Sequence, residues 1–475
     1  MVALAEKRYA GTGGSWPWGD AAMNFNYKTG FQVNPGAPKQ SFDQKAPYID
    51  NGTGRVDPAR YYDPEWMRRE WEMMWTKTWL LACPVSDVRE PGDFARFDIG
   101  TESFIIVRGE DHEVRAFYNV CPHRGNRLVH QDFGTLSGFT CSFHSWQFGL
   151  DGKNTRVTDA ETFRSEVLCH ERDIPPVKVE VACGFVFISM NPDAPPVRAF
   201  LGEIADHLDL YEIDQMHVVH HKVTEWGANW KTGVDAFYET YHLHAVHPQT
   251  QGVMEDLRVQ YDLYPGGMSR MYIPFARPSP RLPDQDTVNE GIQMMLKDAG
   301  IDPAAFSGGA QEARRAIQAA KRARAQRLGL DYSRFTDAQL SDSVPYGIFP
   351  NIQLGCHVEG VFLMRFYPHP TDPERFYYDN CILFRHVDDP DYTVPAWMGL
   401  PADTDTTGKT RPEIERVPFG SPPELGEVLD QDSELLPIVQ KGVRSRAFKG
   451  PLWGEQEIRL RHYHAELDRY MAGEK

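Results

Sequence analysis

The sequence predicts an α+β protein of two folded domains, and three observations carry that expectation. Its 475 residues exceed what one hydrophobic core usually serves. Residues 80 to about 190 run as short β-rich segments broken by turns, among them Ser103 to Val107, Val114 to Val120, Val177 to Val181 and Gly184 to Ser189. From about residue 200 the texture changes to longer helical patterns interleaved with strands. We expect a small antiparallel β-domain, then a larger domain whose antiparallel sheet is covered by helices.

Residues 1–55 are rich in Gly, Pro, Asn and Lys and read as an extended arm over the surface or over a neighbouring subunit. The next unit, 56–195, opens with a helix from Asp63 to about Thr78: Asp63 is the N-cap, Pro64 takes the first helical position, and apolar residues follow at helical spacing. In the third unit, 196–475, Val218 to Glu225, Val361 to Tyr367 and Tyr377 to Val387 read as strands of a second sheet. A helix is expected from Asn229 to Val246, and two more, Leu425 to Ser445 and Glu455 to Met471, close the chain. An insertion at 276–345 is Pro-rich and then helical. Its cations Arg314, Arg315, Lys321, Arg322, Arg324 and Arg327 fit a solvated amphipathic face or a docking surface for an acidic electron donor.

A formal net charge of −17 argues against nucleic acid as a partner, because a phosphate backbone needs a basic face. No segment offers eighteen uncharged apolar residues, so no membrane span is expected. The seven Cys form no regular framework, which fits a reducing, cytoplasmic compartment.

Two of those Cys lie in Cys121-Pro122-His123-Arg124-Gly125 and Cys141-Ser142-Phe143-His144-Ser145-Trp146. Two thiolates and two imidazoles, one of each per short arm, are the ligand set of a Rieske [2Fe-2S] cluster, in which one iron takes both Cys and the other both His. A structural zinc ion is the competing occupant, but zinc fingers usually pair Cys with Cys and His with His.

A second constellation runs Asp235-Ala-Phe-Tyr-Glu239-Thr-Tyr-His242-Leu-His244-Ala-Val-His247-Pro248. Glu239 and His242 are three apart and share one face of a helix. His242 and His247 are five apart, about 140° out of register, so their convergence needs a bulge or a helix that ends early. His244 and His247 are the pair regular geometry prefers. Two imidazoles and one carboxylate make the facial triad of a non-haem ferrous site.

With Asn119-Val-Cys-Pro-His-Arg-Gly125, Asn229-Trp230-Lys231 and the acid-x2-His-x4-His run of Glu239 to His247, the chain resembles the catalytic subunits of Rieske non-haem iron oxygenases, the aromatic-ring-hydroxylating oxygenases. The resemblance covers about residues 55 to 260 and, more loosely, 420 to 450. It implies a helix-grip catalytic domain, a cluster on Cys121, His123, Cys141 and His144, and mononuclear Fe(II) on His242, His247 and Asp432, with Asp430 the competing carboxylate and His244 a bystander. It further implies a head-to-tail homotrimer, or a multiple of it, in which Glu239 bridges His242 to the neighbour's His144. Electrons would come from an NAD(P)H-dependent reductase, with or without a ferredoxin. The implied activity is that of a terminal oxygenase that hydroxylates or oxidatively demethylates an aromatic or other apolar small molecule with dioxygen; the alternatives are ring cis-dihydroxylation and a non-catalytic Rieske electron carrier. Three positions depart from the family pattern: Glu239 where Asp is commoner, Phe143 in place of Tyr, and Ser145 in place of Gly. A hydroxyl lost beside the cluster would remove one hydrogen bond to sulfur and lower its potential.

Overall fold

The structure, a computed structural model, describes residues 26–29, 41–389 and 392–475. Most of the expected N-terminal arm lies outside the described residues. From Phe42 onward the chain is pinned to its own large domain: Ala46 N donates to Asp262 Oδ1 (2.8 Å), and the buried Arg270 donates to the carbonyls of Phe42 and Gln44 (both 3.2 Å).

Asp63 caps the entry helix Pro64–Glu70 by accepting from Glu65 N, with Pro64 in the first turn. A π-helical turn, Trp71–Trp75, continues it and packs Trp75 against Trp230, ring centroids 4.9 Å apart. Ten strands then build the smaller domain: β1 (Leu80–Pro84), β2 (Asp93–Ile99), β3 (Glu102–Arg108), β4 (Val114–Tyr118), β5 (Phe133–Thr135), β6 (Phe139–Thr140), β7 (Gln147–Phe148), β8 (Asn154–Arg156), β9 (Lys178–Ala182) and β10 (Phe185–Ser189). They form three antiparallel sheets, ordered β1-β10-β9, β4-β3-β2-β5 and β6-β7-β8. Side chains alternate across β3. Ile105 and Val107 enter a small core with Cys121, Cys141 and Trp146, whereas Phe104 and Ile106 enter the main core of the molecule.

The larger domain is organised on β11 (Met216–Trp226), β12 (Gln260–Tyr264), β13 (Met268–Tyr272), β14 (Val344–Ile348), β15 (Ile352–Cys356), β16 (Gly360–Pro368), β17 (Phe376–Arg385) and β18 (Glu415–Val417). Their order is β12-β13-β14-β15-β16-β17-β11-β18, antiparallel except for the β11–β18 pair at the edge. One face carries the helix Trp230–Phe237. Gly233 permits that contact, since a Cβ there would lie 2.8 Å from both Phe366 and Phe376. The other face holds the smaller domain, through Arg365 Nη1 to Ala82 O (2.8 Å) and a buried chain in which Asp379 accepts from Arg365 and His221.

Two expectations are corrected here. The helix from Asn229 to Val246 is not continuous: it stops at Phe237, and a short turn of helix, Leu243–Val246, follows a break. The cations of the insertion helix Ala310–Leu328 do not form an open docking face. Arg314 is buried against Asp342, Arg315 pairs with Glu312, Lys321 with Glu359 and Arg322 with Asp337, while Arg324 donates to Asp298 O. Arg314, Arg322 and Arg324 tie parts of the insertion to one another, Lys321 ties it to Glu359 beyond its end, and Arg315 and Arg327 stay exposed. Among the described residues no helix is long and apolar enough to cross a membrane.

Candidate metal centres

The two Cys-His loops repeat one hydrogen-bond plan. In the first, Gly125 N donates to Cys121 O (2.9 Å) and Cys121 N to Asn126 O (2.7 Å); in the second, Ser145 N donates to Cys141 O (2.9 Å) and Cys141 N to Trp146 O (2.8 Å). Both loops turn through a left-handed residue, Gly125 at φ 76° and Ser145 at φ 56°. Glycine adopts that conformation freely, whereas a side chain there costs about 1 kcal/mol. The departure from Gly to Ser at 145 is therefore a backbone cost as well as a change of side chain.

The loops bring their four candidate ligands together. Cys121 and Cys141 are free thiols, each 1% exposed, and the rings of His123 and His144 lie 4.6 Å apart. Both Nδ1 atoms are buried with no hydrogen-bond partner among the described residues, an unusual state for a buried ring nitrogen. An [2Fe-2S] cluster held by two sulfurs and two Nδ1 atoms would satisfy all four groups, so the residues fit it. His123 is fixed by stacking on Trp146 (4.8 Å, 5°). Asn126 supplies a hydrogen bond to ligand sulfur, Nδ2 to Cys141 Sγ at 3.6 Å. Phe143 is 53% exposed instead, resting on His144 beneath the Arg124 guanidinium.

The second centre is built at the helix break. Asn229 caps the helix Trp230–Phe237, and Gln440 clamps that cap by accepting from Asn229 N (2.8 Å). After Phe237 the backbone turns away, and Glu239 takes up the groups this frees: its Oε2 accepts from the backbone N–H of Tyr241 and of His242. Its Oε1 accepts from His242 Nδ1 at 2.5 Å. Since a carboxylate can only accept here, the His242 proton sits on Nδ1 and Nε2 is left bare. The same logic holds for His247, whose Nδ1 meets Gln431 Oε1 at 2.6 Å; Gln249 Nε2 donates to that same oxygen.

Asp432 arrives from the helix Glu427–Val443, whose buried stripe is Asp432, Leu436, Gln440 and Val443. Its Oδ1 lies 3.1 Å from His247 Nε2 and 3.8 Å from His242 Nε2. One donor atom from each of His242, His247 and Asp432 falls within 4.8 Å of the others. Two neutral imidazole nitrogens and one carboxylate suit a divalent iron with open positions. Asp430 is placed elsewhere, accepting from Leu425 N (2.9 Å) at the start of its helix, and His244 faces Asp256 at 4.0 Å. His242 and His247 flank the short helix Leu243–Val246 as its N-cap and C-cap, and the helix ends before His247 (φ −119°, ψ 56°), so of the two expected routes to convergence the early end is the one taken. Gln431 and the clamp at Gln440 were not identified as functional from sequence; the only signal was their place beside Asp432 and in Gln440-Lys441-Gly442.

Beside this triad opens a cavity of about 300 Å³, lined by Asp235, Glu239, Asp432 and Glu457 and by apolar residues that include Leu436, Val439 and Trp453. Burial raises the Glu457 carboxyl to about 7 against the Gly454 N–H, with the charges of Glu239 and Asp235 adding to the rise. Asp235 accepts from Tyr61 Oη (2.6 Å) and His464 Nε2 (2.9 Å), and Arg60 donates to His464 Nδ1 (2.9 Å). Burial and Arg60 outweigh Asp235 and lower the His464 pKa.

Comparisons with known proteins agree with this anatomy. Family models match at residues 78–171 for the Rieske [2Fe-2S] domain and at 213–473 for the ring-hydroxylating alpha subunit, catalytic domain. The chain is 34% identical over 228 residues, 47% of its length, to the carnitine monooxygenase oxygenase subunit of Escherichia coli K12, and spans 59% of that protein. It is 29% identical over 190 residues to the glycine betaine monooxygenase oxygenase subunit of Pseudomonas aeruginosa (40% of this chain, 44% of that one). It is 30% identical over 203 residues to the chlorobenzene dioxygenase alpha subunit of a Cupriavidus species (41% and 44%). The chain thus spans about half the length of the curated relatives it matches. Similar folds are a quaternary ammonium Rieske monooxygenase in complex with L-carnitine (TM-score 0.61, 20% identity, 88% of this chain and 96% of that one) and naphthalene 1,2-dioxygenase from a Rhodococcus species bound to indole (TM-score 0.61, 19%, 89% and 95%).

Proposed function

Because the chain belongs to the ring-hydroxylating oxygenase α-subunit family, with a Rieske [2Fe-2S] domain preceding its catalytic domain, we propose that it is the terminal oxygenase of a multicomponent system, hydroxylating or oxidatively demethylating a small apolar or aromatic molecule. The observation that carries this reading is the triad His242, His247 and Asp432, with each imidazole held at Nδ1 so that Nε2 faces the common point. When bound, the cluster supplies single electrons and the ferrous ion supplies open positions for dioxygen. The chain's own part is positional. Glu239 and Gln431 hold the tautomers, Asp432 supplies the single negative charge among the three ligands, and Gln440 fixes the helix that carries Asp432 against the cap of the helix Trp230–Phe237. The Cupriavidus relative, named as a dioxygenase, keeps ring dihydroxylation as the second reading.

Electrons would enter from an NAD(P)H-dependent reductase, with or without a ferredoxin. A head-to-tail ring, a homotrimer or a multiple of it, would set Glu239 between His242 and His144 of the next subunit. The shape of the surface supports this: Glu239 lines the groove beside the triad, with Ile438 (63% exposed) on the helix that forms its wall and Leu452 (75%) next to Pro451 of its lining. At the cluster tip the exposed Phe143 and Arg124 offer an apolar and positive counterpart. Seven free thiols fit a reducing, cytoplasmic setting.

The test is a single turnover of reduced holoprotein under labelled dioxygen with aromatic, methoxylated and N-methylated compounds, read by mass spectrometry. One labelled atom in the product, or a demethylated product with formaldehyde, supports monooxygenation; two labelled atoms support the dioxygenase reading. Occupied metal sites with no oxygen incorporated into any compound would restrict the oxygenase reading to a substrate outside these classes and favour the electron carrier.

A further inference from the structure

The sheet face over the helix Trp230–Phe237 carries three polar groups that nothing among the described residues satisfies. Gln353 on β15, Asn380 on β17 and Tyr378 on β17 are 5%, 3% and 0% exposed, and Gln353 Oε1, Asn380 Oδ1 and Tyr378 Oη have no hydrogen-bond partner among the described residues. The strand register puts them on one face. Gln353 lies opposite Met364 on β16, Met364 opposite Asn380, and Tyr378 is two residues from Asn380, opposite Phe366. That face meets the helix Trp230–Phe237, whose last residue precedes the triad segment, because the Phe237 ring lies 5.2 Å from Phe366 and 5.4 Å from Tyr378. The Tyr378 hydroxyl is also close enough to Asp432 to sense its charge. By contrast, Arg365 and Asp379, one residue along each strand, point to the opposite face and bond each other.

Three adjacent buried groups without partners are costly, and native cores rarely hold such a set. By strand geometry their backbones stand about 10 Å apart across the sheet and about 7 Å along it, the dimensions of one substituted ring. None carries a charge. The Gln353 and Asn380 oxygens only accept, whereas the Tyr378 hydroxyl donates or accepts; a quaternary ammonium ion has no N–H to give the two amide oxygens, and an unpaired carboxylate would be desolvated without a counter-charge.

We propose that Gln353, Asn380 and Tyr378 form the polar pole of the substrate pocket and select an uncharged substrate through a hydroxyl or N–H substituent that can donate to the amide oxygens, with its apolar remainder directed at the triad. This rests on the terminal-oxygenase reading and narrows its substrate class.

The test compares toluene, benzyl alcohol and benzyltrimethylammonium as equilibrium ligands of the holoprotein, by calorimetry, in the native chain and in the triple variant Gln353→Met, Asn380→Leu, Tyr378→Phe. Benzyl alcohol should bind at least about tenfold tighter than toluene, the value of one or two neutral hydrogen bonds, and the triple variant should lose that preference. The single variant Tyr378→Phe should keep or raise the melting temperature, since it removes an unmet group. Equal binding of the two neutral ligands, tighter binding of the cation, a preference that survives in the triple variant, or a melting temperature lowered by Tyr378→Phe would each overturn the proposal. Labelled-oxygen turnover separates it from its premise: incorporation with no substituent preference removes the polar pole alone, and preference without incorporation removes the oxygenase reading alone.

Discussion

The two metal centres use the same residue, histidine, in opposite ways. In the cluster loops His123 and His144 keep Nδ1 buried and unpartnered, with the rings fixed by aromatic contact. At the triad His242 and His247 have Nδ1 engaged by Glu239 and Gln431, and Nε2 is the nitrogen turned toward Asp432. The cluster ligands come from two tandem loops within 24 residues of sequence, whereas the triad joins a helix break to a carboxylate 185 residues from His247. Stacking suffices where the loops themselves fix the geometry. Where the ligands come from distant segments, hydrogen bonds to the outer nitrogen must set both ring angle and tautomer.

This contrast can be broken most severely at Asp432. Asp432→Ala should lose the mononuclear iron and all turnover while the cluster absorption stays intact, and Cys121→Ser should do the reverse; iron analysis and visible spectra on one preparation decide it. Asp430→Ala serves as control and should keep its iron, since Asp430 bonds only near its own helix start. Next in size is Glu239→Gln, which keeps an acceptor for His242 but removes the charge. With iron retained, electron delivery to the second centre should slow by about 100-fold in rapid-mixing experiments, and an unchanged rate would remove Glu239 from the electron path. Gln431→Leu frees His247 Nδ1 and should weaken iron binding by about 10–100-fold in chelator competition; wild-type affinity would mean that His247 needs no such support. The smallest effect belongs to the cluster loops: Ser145→Gly should relieve the left-handed turn and stabilise the protein by about 0.5–1 kcal/mol in denaturant unfolding. A destabilised variant would show that the serine side chain contributes more than its backbone costs.

The same contrast explains what could be read from the chain alone. The cluster set was legible because Cys-x-His and Cys-x2-His are contiguous and chemically specific. His242 and His247 were visible as residue types, and their spacing called for a bulge or an early helix end, which the end at Val246 supplies; the break after Phe237 was not legible, because it depends on tertiary packing, which no local pattern encodes. Asp432 was one of 67 acidic residues and became distinguishable only through the family resemblance. Helix periodicity also identified the cations of the insertion but not their partners, because Asp342 and Glu359 reach Arg314 and Lys321 from other segments. The three unmet groups on β15 and β17 could not be detected at all from sequence, since Gln, Asn and Tyr in a strand announce no shared face until the register is known.

The alternation across β3 has a consequence for how the molecule comes apart. Phe104 and Ile106 belong to the core that continues through Val234 and Tyr346 to Leu467, while their neighbours Ile105 and Val107 support the cluster loops. One strand is therefore the wall of both compartments, and a core shared in this way couples the melting of its two sides. Heating or denaturant should unfold the cluster domain and the catalytic sheet in a single cooperative step, so the protein has no stable half in which one centre persists without the other.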